Sequence, residues 1–204
     1  MITPFIGFAG NIGSGKTTFT RFISKSQNWI PFYEPISDNP YLEDFYNDMP
    51  RWSFNLQVYF LHKRFEMHKK MSQMKMGVVQ DRTIFEDKEI FAKNLYEMKK
   101  ISQRDWENYS GLFASMVSFL KKPDLVIYLK ASTDILLKRI QSRNRDFEKN
   151  VDPGYIRTLN VAYDRWVKKE KRYPIIIINT DNFNIYKDQQ AFKKIEKKIL
   201  KTLL

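Results

Sequence analysis

The sequence predicts an α/β fold, a five-stranded parallel sheet flanked by helices. Three observations carry this. Short apolar, β-branched runs alternate with longer stretches of helical periodicity along all 204 residues. The apolar runs are continuous rather than alternating in polarity, as in strands covered on both faces. The first run leads into a glycine cluster that holds four of the chain's seven glycines between positions 7 and 15.

The elements follow in order. Pro4–Ala9 reads as a buried strand, Gly10–Gly15 as a loop and Lys16–Lys25 as a helix. Trp29–Tyr33 is a second short strand. From Arg51 to about Lys75, residues Phe54, Val58, Leu61, Phe65 and Met71 give one apolar helical face. Gly77–Gln80 is a third strand, ending at Asp81, and helices fill 84–100 and 103–121. Leu125–Leu129 is a fourth strand, followed by helices over 132–143 and 153–172. Pro174–Ile178, with four consecutive Ile, reads as a fifth strand buried on both faces. The final segment, 187–204, sets six Lys against Ile195, Ile199, Leu200, Leu203 and Leu204, an amphipathic helix with a solvated basic face. There is no repeat, linker or composition break, so 1–204 is expected to be a single domain.

Composition narrows the function. With no cysteine, disulfides, thiolate metal sites and cysteine nucleophiles are excluded. The two histidines, His62 and His68, fall mid-helix, an unsuitable setting for a triad or a histidine metal site. The net charge of +12 raises the question of a polyanionic partner. It is uneven: residues 1–102 carry 14 basic and 11 acidic groups, residues 103–204 carry 21 and 12. A nucleic-acid-binding ATPase would want a basic patch interleaved with exposed aromatics, and the chain shows none, so no nucleic-acid partner is expected. No apolar run approaches the roughly 18 residues that span a bilayer. Met1–Phe8 lacks the basic start of a signal peptide, so a cytoplasmic protein without a membrane partner is expected.

The chemistry is concentrated in the loops after the strands, where open parallel sheets bind ligands. Gly10-Asn11-Ile12-Gly13-Ser14-Gly15-Lys16-Thr17 fits the phosphate-loop pattern G-x-x-x-x-G-K-[ST], between a strand and a helix, with Thr18 next in line. Its backbone N–H groups would cradle phosphates, Lys16 would reach the β- and γ-phosphates, and Thr17 would offer its hydroxyl to Mg²⁺. A nucleoside triphosphate, ATP, is the expected ligand. Glu34-Pro35 follows the second strand and offers a general base or an outer ligand to the metal. Asp81-Arg82-Thr83 follows the third, with Asp81 suited to Mg²⁺ and Arg82 to a transferred phosphoryl. Arg139, Arg143 and Arg145 follow the fourth strand, where a cationic lid would cover the phosphates.

Together with Trp52-Ser53-Phe54, Gln57, Arg64, Asp87, Phe91 and Asp181-Asn182-Phe183, these residues resemble the deoxynucleoside kinase family. The likeness is to the deoxyadenosine, deoxyguanosine and deoxycytidine kinase branch, and most to its small bacterial deoxyadenosine kinases. The resemblance implies a P-loop kinase fold with an arginine-rich lid at about 139–150. It implies transfer of the γ-phosphoryl of ATP, with Mg²⁺, to the 5′-hydroxyl of a deoxynucleoside, foremost deoxyadenosine, in deoxynucleotide salvage. By the same resemblance Glu34 takes the hydroxyl proton, while Arg82 and Lys16 hold the phosphoryl group. Gln57 and Asp87 face the base edge beside Arg64, and Phe91 stacks on the base. Tyr46 and Glu148 bind the 3′-hydroxyl. Arg139 flanks the donor adenine, Arg143 and Arg145 meet its phosphates, and Asp181, Asn182 and Phe183 line its pocket. A homodimer built on the long helices is also implied.

Elementary geometry agrees. Gln57 and Arg64 are two helical turns apart on one face, Asp87 and Phe91 one turn. A buried Arg64 needs a partner such as Asp87. Family members often carry Gly between the lid arginines; Asn144 stands there and tolerates a left-handed backbone. Asp146-Phe147-Glu148 replaces a more acidic stretch. The alternative within enzymes, a thymidylate-kinase-like monophosphate kinase, needs cations for the acceptor phosphate where this chain has Glu34.

Overall fold

The computed structural model of the chain describes residues 3–34, 36, 39–148 and 151–203. Met1, Pro35 of the expected turn, positions 149 and 150 of the expected lid, and Leu204 of the last helix lie outside the described residues. The strands are β1 (Phe5–Ala9), β2 (Ile30–Phe32), β3 (Val78–Asp81), β4 (Leu125–Lys130) and β5 (Ile175–Asn179), all parallel in the order β2-β3-β1-β4-β5. Successive side chains of the central strands enter different cores. Ile6, Phe8, Leu125, Ile127 and Leu129 pack in one cluster with Phe19 and Ile23 of α1 (Lys16–Gln27) and Ile199 of α9 (Gln189–Leu203). Ala9, Val126 and Tyr128 face a second cluster with α3 (Met49–Ser72) and α8 (Pro153–Lys169). Both faces of β1 and β4 are therefore dry, as their continuous apolar runs require.

β5 departs from expectation. It is an edge strand with one covered face: Ile176 and Ile178 are buried, while Ile177 is 52% exposed. The tetra-isoleucine run reflects strand propensity there, not two-sided burial. The helix expected over 84–100 also differs. It consists of α4 (Ile84–Glu86), a π-helical stretch Asp87–Ala92 and α5 (Lys93–Glu97). A π-turn keeps residues four and five apart on one side, so the apolar spacing does not betray it. Short α2 (Leu42–Asn47) and the 3₁₀ turn Asp146–Glu148 offer too few residues for a periodic signal. The remaining helices are α6 (Gln103–Val117) and α7 (Thr133–Ser142).

Caps fix the ends that matter. The Asp48 side chain accepts from Arg51 N–H at the start of α3, and Asp152 accepts from Gly154 N–H at the start of α8. Both helices carry Pro in their first turn. β1 leads leftward to β2 while its neighbour β3 leads across to β4, so a crevice opens beyond their carboxyl ends. The register pairs Phe8 with Asp81, which sets the phosphate loop beside Asp81-Arg82-Thr83. Gly7 permits this closeness, because a Cβ there would stand 2.3 Å from Thr83 Cγ2.

Candidate active site

The crevice is a cavity of about 530 Å³, within the range of ligand sites. Residues Ile12 to Thr18 form its floor. Gly13 and Gly15 have φ of 84° and 96°, the left-handed turn that aims successive N–H groups inward. Asn11 turns away from the cavity: its Nδ2 donates to Ile156 O at 2.9 Å and Asn160 Oδ1 at 2.7 Å, tying the loop to α8. Lys16 Nζ donates to Asn11 O at 3.0 Å. Burial, with Arg82 close by, brings the Lys16 ammonium down to about 8.

Beside the floor lies a chain of charges. Glu34 Oε1 accepts from Arg64 Nη2 at 2.6 Å and from Arg82 Nε at 2.9 Å. Burial works to raise the Glu34 carboxyl, but Arg82 and Arg64 hold it at about 2. Arg64 is fully buried; its Nε donates to Asp87 Oδ1 at 2.7 Å and its Nη1 to Arg82 O at 3.1 Å. Burial pushes the Asp87 carboxyl up to about 7 against the pull of Arg64. Arg82 sits at φ 69°, in the left-handed region, with its Cζ 4.3 Å from the centre of the Phe91 ring.

The unmet hydrogen bonds are informative, because a buried polar atom without a partner is costly. Asp81 Oδ2 accepts from Thr17 Oγ1 at 2.5 Å, while Asp81 Oδ1 is buried with no partner. One carboxylate and one hydroxyl beside a phosphate cradle suit Mg²⁺, which takes few protein ligands and completes its shell with water and phosphate. Among the described residues no three His, Cys, Asp or Glu side chains cluster as a metal cage. Further along the cavity wall, Gln57 Oε1 is buried without a partner, and both oxygens of Asp87 lie 2.7 Å from Arg64 Nε.

At the other side, Arg143 Nε donates to Glu148 Oε2 at 2.6 Å, a second bond joins Arg143 Nη2 to Glu148 Oε1, and Arg145 Nη1 stands 3.7 Å from that oxygen. Asn144 between them has φ 46°, the left-handed turn that its side chain tolerates. Tyr46 also lines the cavity, and burial followed by the charge of Glu148 raises its hydroxyl well above the usual range. Arg139 donates from Nη1 to Thr180 Oγ1 at 3.1 Å and from Nη2 to Thr180 O at 2.5 Å.

The model of the deoxynucleoside kinase family matches residues 6–204. The chain belongs to the deoxynucleoside kinase family. It is a kinase that phosphorylates deoxynucleosides, and the monophosphate-kinase and nucleic-acid-ATPase alternatives fall with that match. The kinase is 41% identical over 179 residues to deoxyadenosine kinase of Dictyostelium discoideum, covering 87% of this chain and 73% of the relative. It is 34% identical to the deoxyadenosine/deoxycytidine kinase of Bacillus subtilis, covering 93% and 88%. The structure of M. mycoides deoxyadenosine kinase with bound dATP superposes with a TM-score of 0.84 at 30% identity, covering 94% of this kinase and 98% of that chain.

Most of the expected site residues of the kinase meet in the one cavity. Glu34, Tyr46, Gln57, Arg64, Asp81, Arg82, Asp87 and Phe91 line it. Arg139, Arg143, Arg145, Glu148 and Phe183 line it as well. Asp181 and Asn182 do not. Asp181 Oδ1 accepts from Ser132 N–H at 2.7 Å and anchors the start of α7, and Asn182 is exposed. Gly10 also lies behind the lining, where a Cβ would stand 2.5 Å from Ser14 Oγ. Sequence reasoning missed Thr180 and Tyr186 in the lining, and Glu86 and Tyr163 just behind it. Of these only Glu86 carried a signal, the Thr83-x-x-Glu86 capping box. No helix among the described residues is long and apolar enough to cross a membrane.

Proposed function

We propose that the kinase transfers the γ-phosphoryl of ATP to the 5′-hydroxyl of deoxyadenosine. The observation that carries the base preference is the unpaired buried acceptor Gln57 Oε1, in the same cavity wall as the Asp87 carboxylate that Arg64 holds. An acceptor left unpaired in a dry wall calls for a donor from the ligand, and an exocyclic amino group supplies one. Adenine, cytosine and guanine carry one; thymine presents an oxygen there. Adenine is favoured among the three by the relatives named as deoxyadenosine kinases.

Phosphoryl transfer has a loose transition state, so positioning and charge neutralisation dominate. The loop N–H groups and Lys16 hold the triphosphate, and Arg82 meets the transferred group. Thr17 and Asp81 would hold Mg²⁺, which neutralises charge on the β- and γ-phosphates when bound. Glu34 is a carboxylate of low proton affinity. It therefore orients the 5′-hydroxyl by accepting its hydrogen bond and takes the proton late, once bonding to phosphorus has acidified that oxygen. Tyr46 and Glu148 take the 3′-hydroxyl, Phe91 stacks on the base, and Phe183 with Arg139 borders the donor adenine. Arg143 and Arg145 leave Glu148 to close over the phosphates.

A homodimer on the long helices belongs to this reading; Leu112 on α6 and Phe119 just beyond it are 43% and 83% exposed. The cytoplasm is the proposed compartment, in keeping with a chain without cysteine. The base assignment is tested with deoxyinosine, which replaces the 6-amino group of deoxyadenosine by a carbonyl. Its kcat/KM is expected to fall about 100-fold or more below that of deoxyadenosine, since a site built for a donor rejects its absence strongly. Equal use of both nucleosides would remove Gln57 and Asp87 as readers of the base.

A further inference from the structure

Behind the cavity lies a second charged group that the reaction scheme above does not use. Glu86 is completely buried, yet it is not in the cavity lining. Its Oε1 accepts from Thr83 N–H at 2.8 Å and lies 3.3 Å from Thr83 Oγ1, which the capping box explains. Its Oε2 has no part in the cap. That oxygen accepts from Tyr163 O–H at 2.7 Å and from Gly10 N–H, the first residue of the phosphate loop, at 3.3 Å. Arg82 Nη1 stands 3.8 Å from it.

Tyr163 completes the circuit. It also lies outside the lining, and its ring stacks on Tyr128 at 5.5 Å with an interplanar angle of 11°. Its hydroxyl accepts from Arg82 Nη1 at 2.7 Å while donating to Glu86. Arg82 is thus held at Nε by Glu34, at Nη1 by Tyr163 and across its plane by Phe91. A left-handed backbone at a non-glycine residue persists only where its surroundings over-determine it, and these bonds do so.

We infer that Glu86 and Tyr163 are positioning residues for phosphoryl transfer, a relay that keeps Arg82 oriented and neutralised while Glu34 turns to the acceptor hydroxyl. Glu34 is shared by two arginines in the free enzyme. When it engages the hydroxyl, Arg82 loses part of its counter-charge. Glu86 supplies a standing one through Tyr163, and through Gly10 N–H it locks the same Arg82 to the start of the phosphate loop. The Arg–Tyr–Glu arrangement holds the guanidinium without placing a carboxylate where phosphate oxygens must come. A carboxylate in direct contact would repel them.

The inference rests on Arg82 acting at the transferred phosphoryl, and the experiment separates the two. Tyr163→Phe removes only the hydroxyl and leaves the ring stack. It is expected to lower kcat about tenfold or more, the worth of one hydrogen bond to a charged group. KM for ATP and for the deoxynucleoside should stay within about twofold and the melting temperature within about 3 °C. Glu86→Gln keeps an acceptor for the cap but removes the charge, and the double variant should be no slower than the worse single one, because both cut one relay. Arg82→Ala is measured alongside. If Arg82→Ala is severely impaired while Tyr163→Phe turns over like the wild type, the relay is refuted and the role of Arg82 stands. If Arg82→Ala itself keeps wild-type kcat, the reading of Arg82 fails first and the relay with it.

Discussion

Replacing Glu34 by Gln changes one oxygen for an amide nitrogen and preserves shape, so its cost can be worked from the bonds it makes. Glu34 Oε1 receives two charge-assisted hydrogen bonds, from Arg64 at 2.6 Å and Arg82 at 2.9 Å. Neutralising the acceptor weakens each by about 1 kcal/mol, since bonds to charged groups are roughly twice as strong as neutral ones. Loss of a general base costs about 10²–10⁴ in rate. Together these predict a kcat lowered about a thousandfold. The phosphate loop is untouched, so the dissociation constant for ATP should change less than about threefold. The assay pairs deoxyadenosine-dependent ADP release with calorimetric ATP titration of the same preparation. A Glu34→Gln enzyme within tenfold of wild-type kcat would refute the base assignment. The pH profile adds a check. A carboxyl held at about 2, below its ordinary 4.5, contributes stability fully above 4.5 and loses it only as pH falls toward 2. No acidic limb from Glu34 should therefore appear near pH 5 in kcat/KM, which reports the free enzyme.

Two further outcomes follow from the same site. Asp87→Asn replaces a buried carboxylate paired with Arg64 by an amide that can present N–H, and leaves Arg64 paired with Glu34. kcat/KM for deoxyadenosine should fall about 10- to 100-fold, with KM for ATP changed by less than about twofold, and an equal loss for all deoxynucleosides would deny Asp87 a reading role. Lys16 in the free enzyme is brought to about 8 by burial and by Arg82, and a triphosphate favours its charged form. KM for ATP should then be flat below pH 8 and rise above it, approaching about tenfold per unit; a profile flat to pH 10 would contradict the assignment.

How far the sequence discloses this molecule depends on how local each feature is. The phosphate loop is legible because turn, cradle and helix start occupy eight consecutive positions. The Arg64–Asp87 pair is legible because a buried cation demands a partner, and the structure places them 2.7 Å apart. Glu86 and Tyr163 were not: their contact spans 77 positions, and a capping box gives no sign that one carboxylate oxygen is left for another helix. The π-helical stretch at Asp87–Ala92 hides behind spacing that an α-helix shares. β5 misleads for another reason, since its isoleucines speak of strand and not of place in the sheet. The resemblance assigns Asp181, Asn182 and Phe183 together to the donor pocket, yet the turn after β5 sends the Asp181 carboxylate to Ser132 N–H at the start of α7.

On the proposed function, the cavity beyond β1 and β3 accepts a deoxynucleoside carrying an amino group at the edge that Gln57 and Asp87 face. Phosphorylation of deoxyadenosine, deoxycytidine, deoxyguanosine and thymidine with ATP and Mg²⁺, read as four kcat/KM values from one preparation, tests it most directly. The expected result is deoxyadenosine first and thymidine last. Thymidine equal to or ahead of deoxyadenosine would contradict the account.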